Sequence, residues 1–291
     1  MVKIMITKKA KRISAVVISA IILIAFVSWI AWANTALELN KFTITSDKLP
    51  KSFDGYRIAH ISDLHNAEMG KDNKNLLTII DNSEPDIIVI TGDLIDSRNT
   101  NIEIALNFVE KAMQIAPCYY VTGNHEERVS EYAELKEGLN KLGTVILENT
   151  KITIEKSNEA ITVIGVNDPN FEADNIKIDA KTVIDGKLCE LKKDENNYTV
   201  LLSHRPELFD VYEKNEIDLA LCGHVHGGQF RLPFLGGLAS PNQGLFPKYD
   251  AGLYTSDETN MIVSRGIGNS IFPFRFNNRP EVVLVELKSA Q

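Results

Sequence analysis

The sequence predicts an α/β fold: a layered α/β/β/α sandwich of two mixed sheets behind an N-terminal transmembrane helix. Three observations carry that expectation. Strand-like and helical patterns alternate from residue 56 to residue 147, as parallel βαβ units require. Beyond residue 150 strand-like runs outnumber helical ones, which suggests a second sheet packed on the first. Ahead of both stands an uncharged apolar run, residues 13–33, long enough to cross a bilayer as one helix.

Lys3, Lys8, Lys9, Lys11 and Arg12 precede that run, and no acidic residue occurs before Glu38. The asymmetry predicts a cytoplasmic basic segment (1–12), a single cell-membrane span over 13–33, and the bulk of the chain outside the cytoplasm. Trp29 and Trp32 fall at the far end of the run, where indoles favour the membrane interface. Ala31-Trp32-Ala33 also reads as a small-x-small cleavage site, but the apolar run exceeds the core of a signal peptide. An uncleaved signal anchor is the preferred reading. Residues 34–50 read as a polar, strand-prone connector ending at Pro50, and 51–291 as one domain with a substantial core.

Within that domain, strand-like runs fall near 56–62, 86–91, 117–122, 144–147, 151–156, 160–166, 198–203, 217–222, 260–265 and 281–287. Helical periodicity falls near 73–82, 101–114, 130–141 and 206–213. The stretch 229–254, rich in Gly, Pro and Phe, reads as an ordered loop excursion.

Without the five N-terminal cations, 26 Lys and Arg face 39 Asp and Glu, a formal −13. Such a charge argues against a nucleic-acid partner, which needs a basic surface. An anionic substrate would have to be drawn in by bound cations instead. Cys118, Cys189 and Cys222 have no metal-ligand spacing; Cys118 and Cys222 lie in apolar runs and read as buried thiols.

Five His- and Asp-rich clusters recur in order: Asp63-Leu64-His65, Gly92-Asp93-Leu94-Ile95-Asp96, Gly123-Asn124-His125-Glu126, His204 and Gly223-His224-Val225-His226. They use five of the six histidines, and each follows an apolar β-type run. A polar loop after a strand is where parallel α/β sheets place catalytic groups. Carboxylate and amide oxygens alternating with imidazoles suit two divalent cations held side by side, with Asp93 able to bridge them. Such a pair can clamp both the attacking and the leaving oxygen of a phosphoryl displacement. His125, beside Asn124, is then free to protonate a leaving alkoxide or to stabilise the phosphoryl oxygens.

Taken in order, D-x-H, G-D-x-x-D, G-N-H-E, a lone H and G-H-x-H resemble the calcineurin-like metallophosphoesterase superfamily over roughly residues 56–230. The anchor, the tract SHRPELF and the tail GLFPKY…VSRGIG are similar to its membrane-anchored bacterial branch. The resemblance implies that Asp63, His65, Asp93 and His226 hold one metal and that Asp93, Asn124, His204 and His224 hold the other. It implies His125 as the catalytic imidazole, and a loop-supporting role for Asp96. The implied cofactors are two divalent ions (manganese, iron or zinc), among which the mixed N/O donors do not choose. The implied reaction is hydrolysis of a phosphodiester or pyrophosphate in an envelope or lipid-linked substrate. A broad phosphomonoesterase would use the same metals, and a non-catalytic envelope protein would keep the fold; the complete ligand set speaks against the latter.

His60, inside its strand, reads as a hydrogen-bonded core residue. Arg128, Arg205 and Arg265 can each meet a phosphate or serve in structural pairs. The Phe-rich segments 230–235 and 271–274 read as loop packing, with a lipid-admitting rim as the alternative.

Overall fold

The computed structural model describes residues 8–172, 179–193, 195–270 and 272–291, so Lys3 and Ile271 lie outside the described residues. α1 (Lys8–Thr35) is one helix of 28 residues, about 42 Å at 1.5 Å per residue. It starts before residue 13 because Lys and Arg are good helix formers. The apolar side chains from Ile13 to Val27 are exposed all round the helix, and Lys11–Thr35 is long and apolar enough to cross a membrane.

The remaining chain forms two six-stranded sheets. The strands are β1 (Glu38–Ser46), β2 (Arg57–Ile61), β3 (Ile87–Thr91), β4 (Cys118–Val121), β5 (Val145–Ile146), β6 (Thr150–Lys156), β7 (Glu159–Gly165), β8 (Tyr198–Leu202) and β9 (Leu219–Cys222). There follow two short hairpins, β10 (Arg231–Leu232) with β11 (Gly236–Gly237) and β12 (Ala239–Ser240) with β13 (Gly244–Leu245), then β14 (Gly252–Ser256), β15 (Thr259–Val263) and β16 (Glu281–Ser289). The first sheet runs β1-β16-β2-β3-β4-β5 and the second β14-β15-β9-β8-β7-β6. Both are mixed: β16 runs antiparallel to β2, as β14 does to β15 and β6 to β7, while the central strands are parallel.

The helices are α2 (Lys74–Asn82), α3 (Ile102–Ala112), the single turn α4 (Asn124–Glu127), α5 (Tyr132–Lys141), α6 (Ala180–Leu191) and α7 (Phe209–Lys214). Leu76, Ile80, Phe108, Leu135 and Leu139 of α2, α3 and α5 pack on the first sheet. Ile184, Leu188 and Tyr212 of α6 and α7 pack on the second. Between the sheets Ile58, Val89, Val121, Val163, Val200, Leu221 and Val285 interdigitate. The order helix, sheet, sheet, helix is the predicted sandwich. Every residue of β3 is buried, as a central parallel strand covered on both faces requires.

Two spans differ from the sequence reading. The connector contains β1, which pairs with β16 in parallel from Glu38↔Glu281 to Ser46↔Ser289. Ile44 is buried and Phe42 half-buried, while Lys41, Thr43 and Thr45 face out, so a half-polar edge strand had the composition of a linker. α6 carried no legible helical stripe, because only Ile184 and Leu188 of its face are buried and Gly186 interrupts it. Cys118 and Cys222 are buried free thiols, as expected.

Candidate metal centre

Five loops leave the C-terminal ends of β2, β3, β4, β8 and β9, and they bring together all eight residues expected at the site. Each of Asp63, His65, Asp93, Asn124, His125, His204, His224 and His226 is buried. The sharp turns are built into the backbone. Asp63, His65, Asp93, His224 and His226 all have φ between 46° and 72°. Each such L-residue costs on the order of 1–3 kcal/mol, and strain of this kind collects at functional sites. It turns residues i and i+2 of D-x-H toward one donor cluster and those of H-x-H toward two adjacent clusters. Gly92 (φ 85°) and Gly123 permit the close approach: a Cβ on Gly92 would strike the backbone of Gly123, and one on Gly123 would strike the Asp93 carboxylate.

Two triads of donor atoms, Asp63/His65/His226 and Asp93/His204/His224, meet at the centre, and a third group, His65/Asp96/His125, flanks them. In the first, His65 Nε2 is 3.1 Å from His226 Nε2, which is 3.3 Å from Asp63 Oδ1. In the second, His204 Nε2 is 3.2 Å from both His224 Nδ1 and Asp93 Oδ2. Asp93 Oδ2 also lies 3.5 Å from His65 Nε2, so one oxygen faces both triads. Donors about 2.0–2.2 Å from a shared cation sit about 3 Å apart at right angles. Asn124 Oδ1 is buried without a hydrogen-bond partner, an acceptor left for an ion. The donor set therefore fits two divalent cations.

The surrounding hydrogen bonds prepare these donors. His204 Nδ1–H donates to the Thr91 carbonyl oxygen at 2.7 Å, which leaves the Nε2 lone pair facing the triad. Burial pulls His65 down to about 3 and holds His224 and His226 well below the ordinary imidazole range, so they are neutral donors. Burial raises Asp63 to about 6. His204 goes up to about 10 despite its burial, because the Asp93 carboxylate holds a proton on it; a cation beside Asp93 can take the same lone pair.

His125 is held differently. Its Nδ1 accepts from the Ser97 backbone N–H at 3.0 Å, which places the proton of the neutral ring on Nε2. Nε2 lies 4.0 Å from Asp93 Oδ2, and His125 lines the cavity over the site. Asp96 supports this loop by accepting the backbone N–H and the Nε–H of Arg98 on Oδ1 and the Thr100 hydroxyl on its carbonyl, with Oδ1 3.5 Å from His125 Nδ1.

The sequence assigned no role to Glu126. Buried, it accepts hydrogen bonds from the backbone N–H of Asp93 (2.9 Å), Leu94 (2.7 Å), Ile95 (3.3 Å) and Gly123 (2.8 Å), tying the two loops together. Its position in G-N-H-E was the available signal. His60 Nε2 bonds Thr91 Oγ1 at 2.8 Å, and burial drops its pKa to about 3. It is a core residue beneath the site. Of the three arginines considered, Arg205 and Arg128 line the cavity. Arg265 is paired with Glu38 and Glu281 instead.

Chelation is expected to lower the melting temperature by about 10–20 °C. Each cation at 100-fold its Kd contributes about 2.7 kcal/mol, and a domain of this size loses about 2–4 °C per kcal/mol. Calorimetry before and after chelator dialysis, with Mn²⁺ added back, checks this. An unchanged transition would remove the metal-site reading.

A sequence profile of the family described as calcineurin-like phosphoesterase matches residues 56–228. The chain is 29% identical to the uncharacterized metallophosphoesterase YkuE of Bacillus subtilis, over 87% of this chain and 86% of that protein. It is 28% identical to phosphodiesterase YaeI of Escherichia coli (70% and 71%). It is also 28% identical to a transmembrane protein with metallophosphoesterase domain of Danio rerio (85% and 56%). The solved structure of TT1561 of Thermus thermophilus superposes with a TM-score of 0.50 at 12% identity, covering 73% of this chain and 90% of that one.

Proposed function

Because the chain belongs to the calcineurin-like phosphoesterase family, hydrolases that use two divalent metals, we propose that it cleaves phosphodiester or pyrophosphate bonds of envelope or lipid-linked substrates. In this reading α1 anchors the enzyme in the cell membrane with its catalytic domain on the extracytoplasmic side. Asp63, His65, Asp93 and His226 would hold one cation, and Asp93, Asn124, His204 and His224 the other. When bound, the cations supply Lewis-acid charge and lower the pKa of water to near neutrality.

The preference for diesters rests on the charge lining the cavity. Of its arginines, Arg98 is engaged by Asp96 and Arg205 by Asp168, which leaves Arg128 without an ion pair among the described residues. One uncompensated guanidinium suits a monoanionic diester better than a dianionic monoester. His125 Nε2–H points into the same cavity, where it donates to a phosphoryl oxygen. With a second proton on Nδ1, for which Asp96 Oδ1 is the nearby acceptor, it can protonate the leaving oxygen.

The full chain, stripped and reloaded with Mn²⁺, is expected to turn over bis(4-nitrophenyl) phosphate at least about tenfold faster than 4-nitrophenyl phosphate, matching the loss of one cationic contact of ~1.4 kcal/mol. Faster monoester cleavage would make it a phosphatase. Metal binding with no turnover of either would point to a narrow substrate or a binding role.

A further inference from the structure

Beside the catalytic cavity lies a second one of about 290 Å³, lined by Val225, Gln229, Ala239, Ser240 and Phe272 and sharing His226, Pro241 and Ser270 with the first. Its wall carries no charged side chain, whereas the first cavity is lined by Asp93 and three arginines. A ligand spanning both would have a phosphate at one end and an apolar body at the other.

Among the described residues outside α1, the exposed large hydrophobic side chains are Phe234, Leu235, Leu245, Phe246, Leu253, Phe272 and Phe274. All but Leu253 stand on two loops, 230–246 and 272–276, which supply Ala239, Ser240, Pro241 and Phe272 to the wall of this second cavity. Phe234 is fully exposed at the tip of the β10–β11 hairpin, and Leu245 is 70% exposed. Such a concentration in two loops departs from the scatter of single apolar residues that surfaces normally show. The loops are held in place. The ring of Phe230 meets those of Phe272 (5.1 Å) and Phe274 (5.4 Å), and Gln229 Nε2–H donates to the carbonyls of both phenylalanines.

The same loop receives the end of α1. Trp29 packs edge-on against Phe276 at 5.2 Å. Asn34 exchanges two hydrogen bonds with the backbone of Arg275. Arg279 binds the carbonyls of Ala36 and Leu37 and covers the ring of Trp32 at 4.8 Å. Trp29 and Trp32 mark the level at which α1 leaves the apolar layer. Phe274 lies two residues before Phe276, within about 7 Å of extended chain, so this part of the apolar rim stands close to that level.

We propose that the second cavity is an acyl-chain subsite: a membrane-resident phosphoester places its phosphate at the metal centre and one hydrocarbon chain between Val225, Ala239 and Phe272, entering from the bilayer over Phe234, Leu245, Phe246 and Phe274. This rests on the phosphodiesterase reading above and names the part of the substrate that reading leaves open. The rim holds the site at the membrane, and the short hairpins present it without exposing a long sheet edge.

The test uses the full chain in nanodiscs with two diesters sharing one leaving group, ethyl and hexadecyl 4-nitrophenyl phosphate. The hexadecyl ester is expected to show at least a tenfold higher kcat/KM than the ethyl ester. Ala239→Phe, which fills the cavity, should bring that ratio to within threefold of one. A wild-type ratio near one, or a ratio unchanged by Ala239→Phe, would overturn the subsite; the latter would trace chain selectivity to partition into the bilayer alone. A readout independent of turnover is Phe272→Trp in nanodiscs of chain-brominated phosphatidylcholine. Quenching beyond that of Trp29 and Trp32 in the parent protein is expected, and it should fall when Ala239→Phe fills the cavity; absence of the quenching, or its persistence with Ala239→Phe, would refute chain entry. If neither ester is cleaved, the phosphodiesterase reading fails while the quenching still decides the subsite.

Discussion

Asp93→Asn is expected to reduce turnover by on the order of 10³-fold or more, beyond the ~10–100-fold typical of losing an outer partner of a metal ligand. The geometry sets this apart from the other ligand substitutions. Asp93 Oδ2 is 3.2 Å from His204 Nε2 and 3.5 Å from His65 Nε2, so it serves both triads at once. Its Oδ1 accepts the backbone N–H of His125 at 2.8 Å. An amide would keep its single oxygen on that N–H, which directs its NH₂ group at the histidine donors and at any cation between them. The site would lose a negative charge and gain two N–H groups where lone pairs are needed. Metal content and turnover measured together check this. Full retention of both metals with near-parental activity would refute the bridging assignment.

What the sequence made legible, and what it did not, follows from the range of the interactions. β3 is a run of five buried residues closed by Gly92-Asp93, and β9 closes on Gly223-His224; each couples a local hydrophobic pattern to a polar loop, so strand ends and ligands were readable together. The glycines of those motifs mark positions where a side chain would collide with the neighbouring loop. The partners of the ligands were not readable, because they join distant segments: Thr91 with His204, Asp168 with Arg205, Glu126 with Asp93. β1 was obscured by a different cause. Its strand character depends on β16, more than two hundred residues away, and an edge strand with one polar face carries no long apolar run. The left-handed backbone at Asp63, His65 and Asp93 had no sequence signature either, since those residues sit there for their donors and against their own conformational preference.

His125→Ala is expected to retain both metals, because its ring belongs to neither of the two triads that would hold them, with Nδ1 taken by the Ser97 N–H and Nε2 4.0 Å from Asp93 Oδ2, and to lose turnover according to the leaving group. General acid catalysis contributes roughly 10²–10⁴-fold, and it matters most where the departing oxygen is a strong base. Two roles fit the geometry. As a neutral ring with its proton on Nε2, His125 donates to a phosphoryl oxygen, and its loss would slow aryl and alkyl esters alike. As a general acid it must carry a second proton on Nδ1, where Asp96 Oδ1 at 3.5 Å can accept that hydrogen and the Ser97 N–H must give way. Burial lowers the pKa of the ring, which favours release of the Nε2 proton to the leaving oxygen while Nδ1 keeps its own. The acid role thus predicts a loss of at least about 10²-fold for an alkyl leaving group and less than about tenfold for 4-nitrophenolate. It also predicts that Asp96→Asn reproduces part of the alkyl-specific loss. Equal losses for both leaving groups, with Asp96→Asn silent, would assign His125 to the phosphoryl oxygens. Near-full turnover of the alkyl diester by His125→Ala would exclude both roles.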